Sequence, residues 1–405
     1  MKILLLSPFP YGSASGHGGA TACLNALREL VKKHRVAVLC FRTNSEVDNS
    51  ALIEMSALAD SVQAININVN KSVVIKAKIK SLLTDTPEHV FYFESPGFRA
   101  ALRQLILSFK PEIVIAQFPQ MAQYLRFCNA VPTVQDVQDA FSVSWYRRAI
   151  AAPRGVAKLY AFKQWRNWVA YESKYYKLAQ QCWTLSDQDR YGLTVFNPQL
   201  ATSTVGVPLT QHFELNRRSA SSIRVGFIAS FGHPPNREAL AYFLNEIVTR
   251  VNARTATVEF VIAGRAPSES LMQMAPANTK FIGFVDSLQD FYDSCAVIVA
   301  PLLSGGGVKI KVAEALCYGK AIVTTPVGAE GIPIENGVHA LIESDPDKFA
   351  NAVCHLLAAP KYREQLEDAA LLVAQNSFST GAWFDRVNRQ LDQLIGNQSQ
   401  VGAND

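Results

Sequence analysis

The 405-residue chain contains no Cys-x-x-Cys pair, and none of its seven cysteines has a histidine placed to join it in a metal site. That pattern argues against a thiolate–imidazole metal centre and against a disulfide framework. Cys23, Cys40, Cys128, Cys182, Cys295, Cys317 and Cys354 stand in apolar contexts and read as buried free thiols of a reducing compartment. No apolar run approaches the roughly 18 to 20 residues that a membrane span needs. The opening Met1–Pro8 has an apolar core of only four residues before a Pro-Gly-rich loop, so it reads as a first buried strand rather than a leader. No nucleophile–base constellation is evident. Acids are missing from one region in particular: between residues 140 and 180, Glu172 stands alone against Arg147, Arg148, Arg154, Lys158, Lys163, Arg166, Lys174 and Lys177.

What is present describes a globular α/β protein. The hydrophobic share is 49% and the charged share 18%, with a net charge of +5, and the length suits two domains. The first half opens with a strand Ile3–Ser7, a loop carrying Gly12, Gly16, Gly18 and Gly19, a helix Ala20–Lys33 and a strand Arg35–Cys40. The second half repeats the pattern with a strand Arg224–Ala229, a polar loop Ser230–Asn236, a helix Arg237–Asn252 and a strand Thr257–Ala263. Short apolar runs alternating with helical periods continue in both halves and predict two doubly wound parallel sheets. The expected boundaries are 1–205 for the first domain, 206–222 for a linker, 223–377 for the second domain and 378–405 for a final helix returning towards the first.

The densest signal is Ser304–Leu316. Val297–Leu303 reads as a buried strand, so the following glycines fall at a carboxyl sheet edge, where open α/β folds bind ligands. Backbone N–H groups and the positive end of the next helix would face an anion there. Two lysines, Lys309 and Lys311, and one acid, Glu314, follow. On a regular helix the two lysines point about 200° apart, so Lys309 is favoured as the one that meets the ligand.

Read with its neighbours, the second half resembles a family 4 glycosyltransferase of the GT-B fold from about Arg224 to Phe378. The resemblance rests on Val225–Ser230, Pro235–Ala239, Phe260–Gly264, Gly283–Val285, the glycine triplet after Pro301, Lys309–Ala315 and Thr324–Gly331. The first half agrees more loosely, through Gly18-Gly19, His34–Cys40, Trp183–Ser186 and Gly206–Pro208. The resemblance implies two Rossmann-like domains facing a central cleft. It also implies transfer of a sugar from a UDP- or GDP-sugar to an acceptor hydroxyl, with retention at the anomeric carbon and no cofactor or obligatory metal.

On that resemblance, Glu314 accepts hydrogen bonds from the donor ribose, for which a two-oxygen carboxylate is suited. Gly305, Gly306, Gly307, Val308 and Lys309 serve the diphosphate, and Lys309 is the leading catalytic candidate because negative charge grows on the leaving phosphate. Ser230 stands where the family more usually has Arg, and Arg237 is a candidate replacement for that charge. Arg265, Phe284 and Val285 are further donor-binding candidates, the last two beside the base. The family's second acid falls at Gly306 here, and Glu330 is a candidate substitute. In the first domain Gly18 and Gly19 would let backbone approach the donor, with His17 beside them. Gln138 is assigned the position of a family histidine, able to bind a sugar but unable to act as base. Asp139 could instead cap the helix that follows.

The cations of residues 140–180 interleave with Trp145, Tyr146, Tyr160, Phe162, Trp165, Trp168, Tyr171, Tyr175 and Tyr176. Residues 145–177 therefore admit two readings: peripheral contact with an anionic membrane, or a long helix whose aromatics pack inward. Nucleic acid is not an expected partner. The expected protein is a cytoplasmic transferase, peripheral to the inner membrane face on the first of those readings, acting on a glycan or lipid-linked acceptor in polysaccharide or glycoconjugate synthesis. Alternatives are an inactive nucleotide-sugar-binding or scaffold subunit, or an epimerase or phosphorylase on the same fold.

Overall fold

The computed structural model describes the chain apart from residues 16–17, 129–130, 211–212, 214–222, 256, 266 and 402–405, and it gives the helix but not the side chains at 397–401. Gly16, His17 and most of the expected linker thus lie outside the described residues. The chain forms two compact units, Met1–Pro208 with Trp383–Asp405, and Leu209–Ala382. The second crossing between units falls inside the last helix, Thr380–Val401.

The first unit has seven strands: β1 (Lys2–Ser7), β2 (Arg35–Arg42), β3 (Ser61–Asn66), β4 (Ile113–Gln117), β5 (Thr133–Asp136), β6 (Gln181–Thr184) and β7 (Thr202–Thr204). They pair in the order β3-β2-β1-β4-β5-β6-β7, all in parallel. The strand period of two sorts β1 onto opposite faces. Leu4 and Leu6 join one core with Phe41, Phe98 and Trp168. Ile3 and Leu5 join another, closed by Leu24 and Leu27 of the helix Gly18–Leu30 and by Trp383, Phe384, Val387 and Leu391 of the last helix.

Six strands form the second sheet: β8 (Arg224–Ile228), β9 (Glu259–Ala263), β10 (Thr279–Gly283), β11 (Val297–Ala300), β12 (Ala321–Thr324) and β13 (Leu341–Ile342). Their order is β10-β9-β8-β11-β12-β13, again parallel throughout. β11 ends three residues earlier than its apolar run, because Pro301 has no N–H to continue the ladder. The helix expected over 237–252 begins at Pro234 and runs through a π-helical turn, Phe243–Val248, to Arg254. In both sheets the strand order reverses beside the first strand, between β1 and β4 and between β8 and β11, which creates the crevice where such folds take ligands.

The basic aromatic stretch folds as two packed helices, Phe141–Ala151 and Val156–Tyr175. Trp145, Trp168, Tyr171 and Tyr176 are buried in the first core, and Tyr160, Phe162, Trp165 and Tyr175 pack against it. Its aromatics therefore turn mainly inward. Among the described residues no helix is long and apolar enough to cross a membrane.

Candidate functional site

In the second unit the reversal between β8 and β11 brings together Ser230–Arg237 and Ser304–Glu314. Gly305 and Gly307 hold φ of 114° and 64°, backbone conformations that favour glycine. Lys309 staples this turn: its Nζ donates to the carbonyls of Gly306 at 3.0 Å and Gly307 at 2.6 Å and lies 3.6 Å from the Glu330 carboxylate. The Lys309 side chain is buried. The helix that follows starts at Ile310, with Lys309 as its extended N-cap residue. Helical-wheel separation thus does not apply to Lys309 and Lys311, and the two cations are close enough to repel each other.

Lys311 donates to Oδ1 of Asn236, whose own Nδ2 donates 2.7 Å to the Ser230 carbonyl. Burial, with Lys309 adding to it, draws the Lys311 ammonium down to about 8. One turn further, burial pushes the half-buried Glu314 carboxyl up to about 7, against the pull of Lys311. A lysine and an acid whose ionisations both move into the neutral range, beside a glycine turn at a sheet switch point, mark a place built to meet a charged ligand. Gly306 offers only backbone here; a carboxylate beside the turn lysine is that of Glu330, at the C-cap of the short helix Pro326–Ala329. Val308 lies half-buried between turn and helix.

Arg237 does not reach into the turn through any described contact. Its guanidinium donates to the carbonyls of Gly232 at 2.6 Å and Phe231 at 3.4 Å, bracing the loop that carries Ser230. Along the same sheet edge, Gly264 donates 2.6 Å to the Gly283 carbonyl. Beyond these glycines, the exposed Phe284 ring carries the Arg265 guanidinium 4.1 Å from its centre, with Val285 half-buried beside it. That stack offers a flat face and a cation, suited to an aromatic ring. Among the described residues no cluster of acids, histidines or cysteines suits a metal ion.

The first unit corrects two expectations about local structure. Gly18 and Gly19 are the first two residues of a helix, not loop residues. Ala140, not Asp139, stands at the N-cap of the next helix and makes no side-chain cap bond; Asp139 accepts 3.0 Å from the Ser144 hydroxyl. Gln138 adopts φ 57° and donates 2.7 Å to Oδ2 of Asp136.

Asp136 is the residue that sequence reasoning passes over. It ends β5 at the carboxyl edge, is 9% exposed, and its Oδ1 has no hydrogen-bond partner among the described residues. Burial pushes it up to about 7, against the hydrogen bonds from Gln138. With Gln117, Gln138, Trp183 and Trp383 it lines a cavity of about 20 Å³, room for one water or one hydroxyl group. A buried acid closing a strand is the available signal, but the family pattern draws attention two and three residues later, to Gln138 and Asp139.

Two doubly wound parallel units of this order define the class, a GT-B protein, and solved structures agree. Some 97% of the chain superposes on 99% of Anabaena HepE (Alr3699), solved with UDP and glucose, at a TM-score of 0.69 and 14% identity. Similarly, 98% superposes on all of the sucrose-phosphate synthase of Thermosynechococcus elongatus at 0.73 and 15% identity. Residues 222–359, within the second unit, match the family Glycosyl transferases group 1. A further relative is an uncharacterized 44.6 kDa protein of a Klebsiella pneumoniae cps region, 24% identical over 182 residues; the match covers 43% of this chain and 45% of that protein's length.

Proposed function

We propose that the protein is a retaining, family 4-type hexosyl- or related transferase that moves a sugar from a UDP- or GDP-sugar to an acceptor hydroxyl. The observation that carries this is the convergence, at one sheet switch point, of the Gly305–Gly307 turn, Lys309, Lys311 and Glu314. The turn amides and both lysines take the diphosphate, Glu314 takes the ribose diol, and the Phe284–Arg265 stack with Val285 takes the base. Glu330, already beside Lys309, supplies the carboxylate that Gly306 lacks. Ser230 and Arg237 shape the loop across the crevice.

In the reaction, the acceptor oxygen bonds to the anomeric carbon as the bond from that carbon to the β-phosphate oxygen breaks. The acceptor's proton passes to that phosphate oxygen, so no side-chain base is required. Charge growing on the diphosphate is met by preorganised amides and lysines rather than by a metal. The first unit, with Gln138 and Asp136, is the acceptor side, and the backbone of its Gly18 and Gly19 takes part in donor binding. HepE's complexes with UDP and UDP-glucose support a nucleotide-sugar donor. The relative's place in a cps region favours a role in polysaccharide synthesis, and with it we propose a glycan or lipid-linked acceptor and a cytoplasmic location.

A panel of UDP- and GDP-sugars, assayed for binding and donor hydrolysis, tests the proposal; a folded protein that binds none of them refutes it. Gly306 in place of the family's acid and Gln138 in place of its histidine favour a second reading, a binding subunit without turnover. Donor binding without transfer across a broad acceptor panel would select it.

A further inference from the structure

The helix Lys71–Leu83 contributes only Ala77 and Ser81 to the buried interior. Its large apolar residues point the other way: Ile75 is 57% exposed, Ile79 54%, Leu82 51% and Leu83 81%. At 3.6 residues per turn these four fall within an arc of about 100°, on the side opposite Ala77 and Ser81. Lys71 and Lys78 border that arc on one edge, Lys76 and Lys80 on the other, and the helix has no acid.

The strip continues onto a second helix. Val156 and Leu159, 83% and 72% exposed, share a face of Val156–Tyr175 with Lys163. Lys163 donates 2.9 Å to the Thr84 carbonyl, directly after Leu82 and Leu83, so the two apolar strips meet. Further cations border the second strip, Arg147, Arg154 and Lys158, with Ile150 exposed beside them. Nearby acids are engaged: Asp85 with Lys163 at 3.5 Å, Glu94 with Lys80 at 2.9 Å, and Glu88 with the Tyr160 hydroxyl.

We propose that this ridge, formed by residues 71–83 and the 147–159 hairpin of the first unit, docks the protein onto an anionic lipid bilayer. A contiguous apolar surface of this kind on a globular unit marks an interaction site. A convex apolar arc with lysines on both margins is the form of an interfacial helix, in which the apolar side chains enter the acyl boundary and lysine stems reach back to the headgroups. A nucleic acid would match the lysines but not the ridge. The proposal rests on the reading of a lipid-linked acceptor; it keeps the exposed 147–159 part of the basic stretch, leaves out its inward-packed aromatics, and adds a helix that sequence reasoning does not single out.

The full chain would be sedimented with vesicles of phosphatidylcholine, alone or mixed with phosphatidylglycerol, at low and high salt. Binding is expected only to the anionic vesicles and to weaken with salt. Lys76→Gln with Lys78→Gln should weaken it about thirtyfold, two surface charges at the usual worth of each. Ile79→Glu with Leu83→Glu should abolish it, with unchanged thermal unfolding. Equal binding to neutral vesicles, or no response to either double substitution, overturns the proposal. So does a dimer in solution that Ile79→Glu with Leu83→Glu dissociates while vesicles remain unbound. UDP titration of the same variants separates the two readings: vesicle binding without UDP binding refutes the donor site and leaves this surface standing.

Discussion

Replacing Asp136 by Asn tests whether the first unit holds a buried, proton-bearing carboxyl at its sheet edge. The native carboxyl is pushed up to about 7, whereas an unfolded aspartate ionises near 3.9. The folded state therefore binds the proton more tightly, and stability falls as pH climbs from about 4 to about 7, then levels. Moving one ionisation across that window changes stability by at most roughly 4 kcal/mol. Asparagine stays neutral and can still accept from Gln138, but its amide then presents a donor where Oδ1 has no described partner, a cost of about 1–3 kcal/mol. The variant should gain about 1–3 kcal/mol over the wild type at pH 8 and lose that advantage by pH 5. All five tryptophans belong to the first unit, so urea unfolding followed by tryptophan fluorescence reads this unit alone. Parallel stability–pH curves for the two proteins between pH 5 and 8 would refute the reasoning.

Other expectations follow from the second unit. Gly264 sits at φ 132°, and a Cβ there would lie 1.7 Å from the Ala229 carbonyl oxygen; Gly264→Ala should cost about 3 kcal/mol or more, seen in far-UV circular dichroism melts. Donor binding should peak between about pH 7 and 8, because Glu314 must lose its proton near 7 and Lys311 must keep its charge until about 8. Calorimetric titration with UDP across pH checks this, and Lys311→Met should remove the alkaline limb. Lys309→Met should unfasten the Gly306 and Gly307 carbonyls and lower UDP affinity about tenfold or more, on the usual worth of a charged hydrogen bond; unaltered affinity would reduce Lys309 to a structural staple of no consequence for the ligand.

Much of this molecule is legible in its sequence, for identifiable reasons. β12 can be read at its observed limits because Ala321–Thr324 is a buried run with Lys320 before it and Pro326 after it. β11 is overextended by the same reading because apolar residues continue past Pro301, which hydropathy does not register but the ladder does. Gly18 and Gly19 read as loop because isolated glycine pairs break helices, yet here they only open one whose apolar face begins at Ala20. The wheel separation of Lys309 and Lys311 fails for a related reason: it presumes a helix already formed at 309. The helix Lys71–Leu83 escapes notice because its apolar residues are spread around it, and burial alone separates Ala77 from Ile79. Asp136 escapes notice because an acid in an apolar strand shows its altered ionisation only once the packing above it is known.

The central claim is that the glycine turn, the two lysines and Glu314 form a nucleotide-sugar seat. Calorimetric titration of UDP, and separately GDP, into wild type and Glu314→Ala tests it most directly. Binding of one nucleotide at one site per chain is predicted. The variant should bind it about thirtyfold more weakly, the loss of about 2 kcal/mol expected for hydrogen bonds to a charged carboxylate, with its unfolding unchanged. No binding of either nucleotide to the folded wild type, or equal affinity in the variant, would contradict the account.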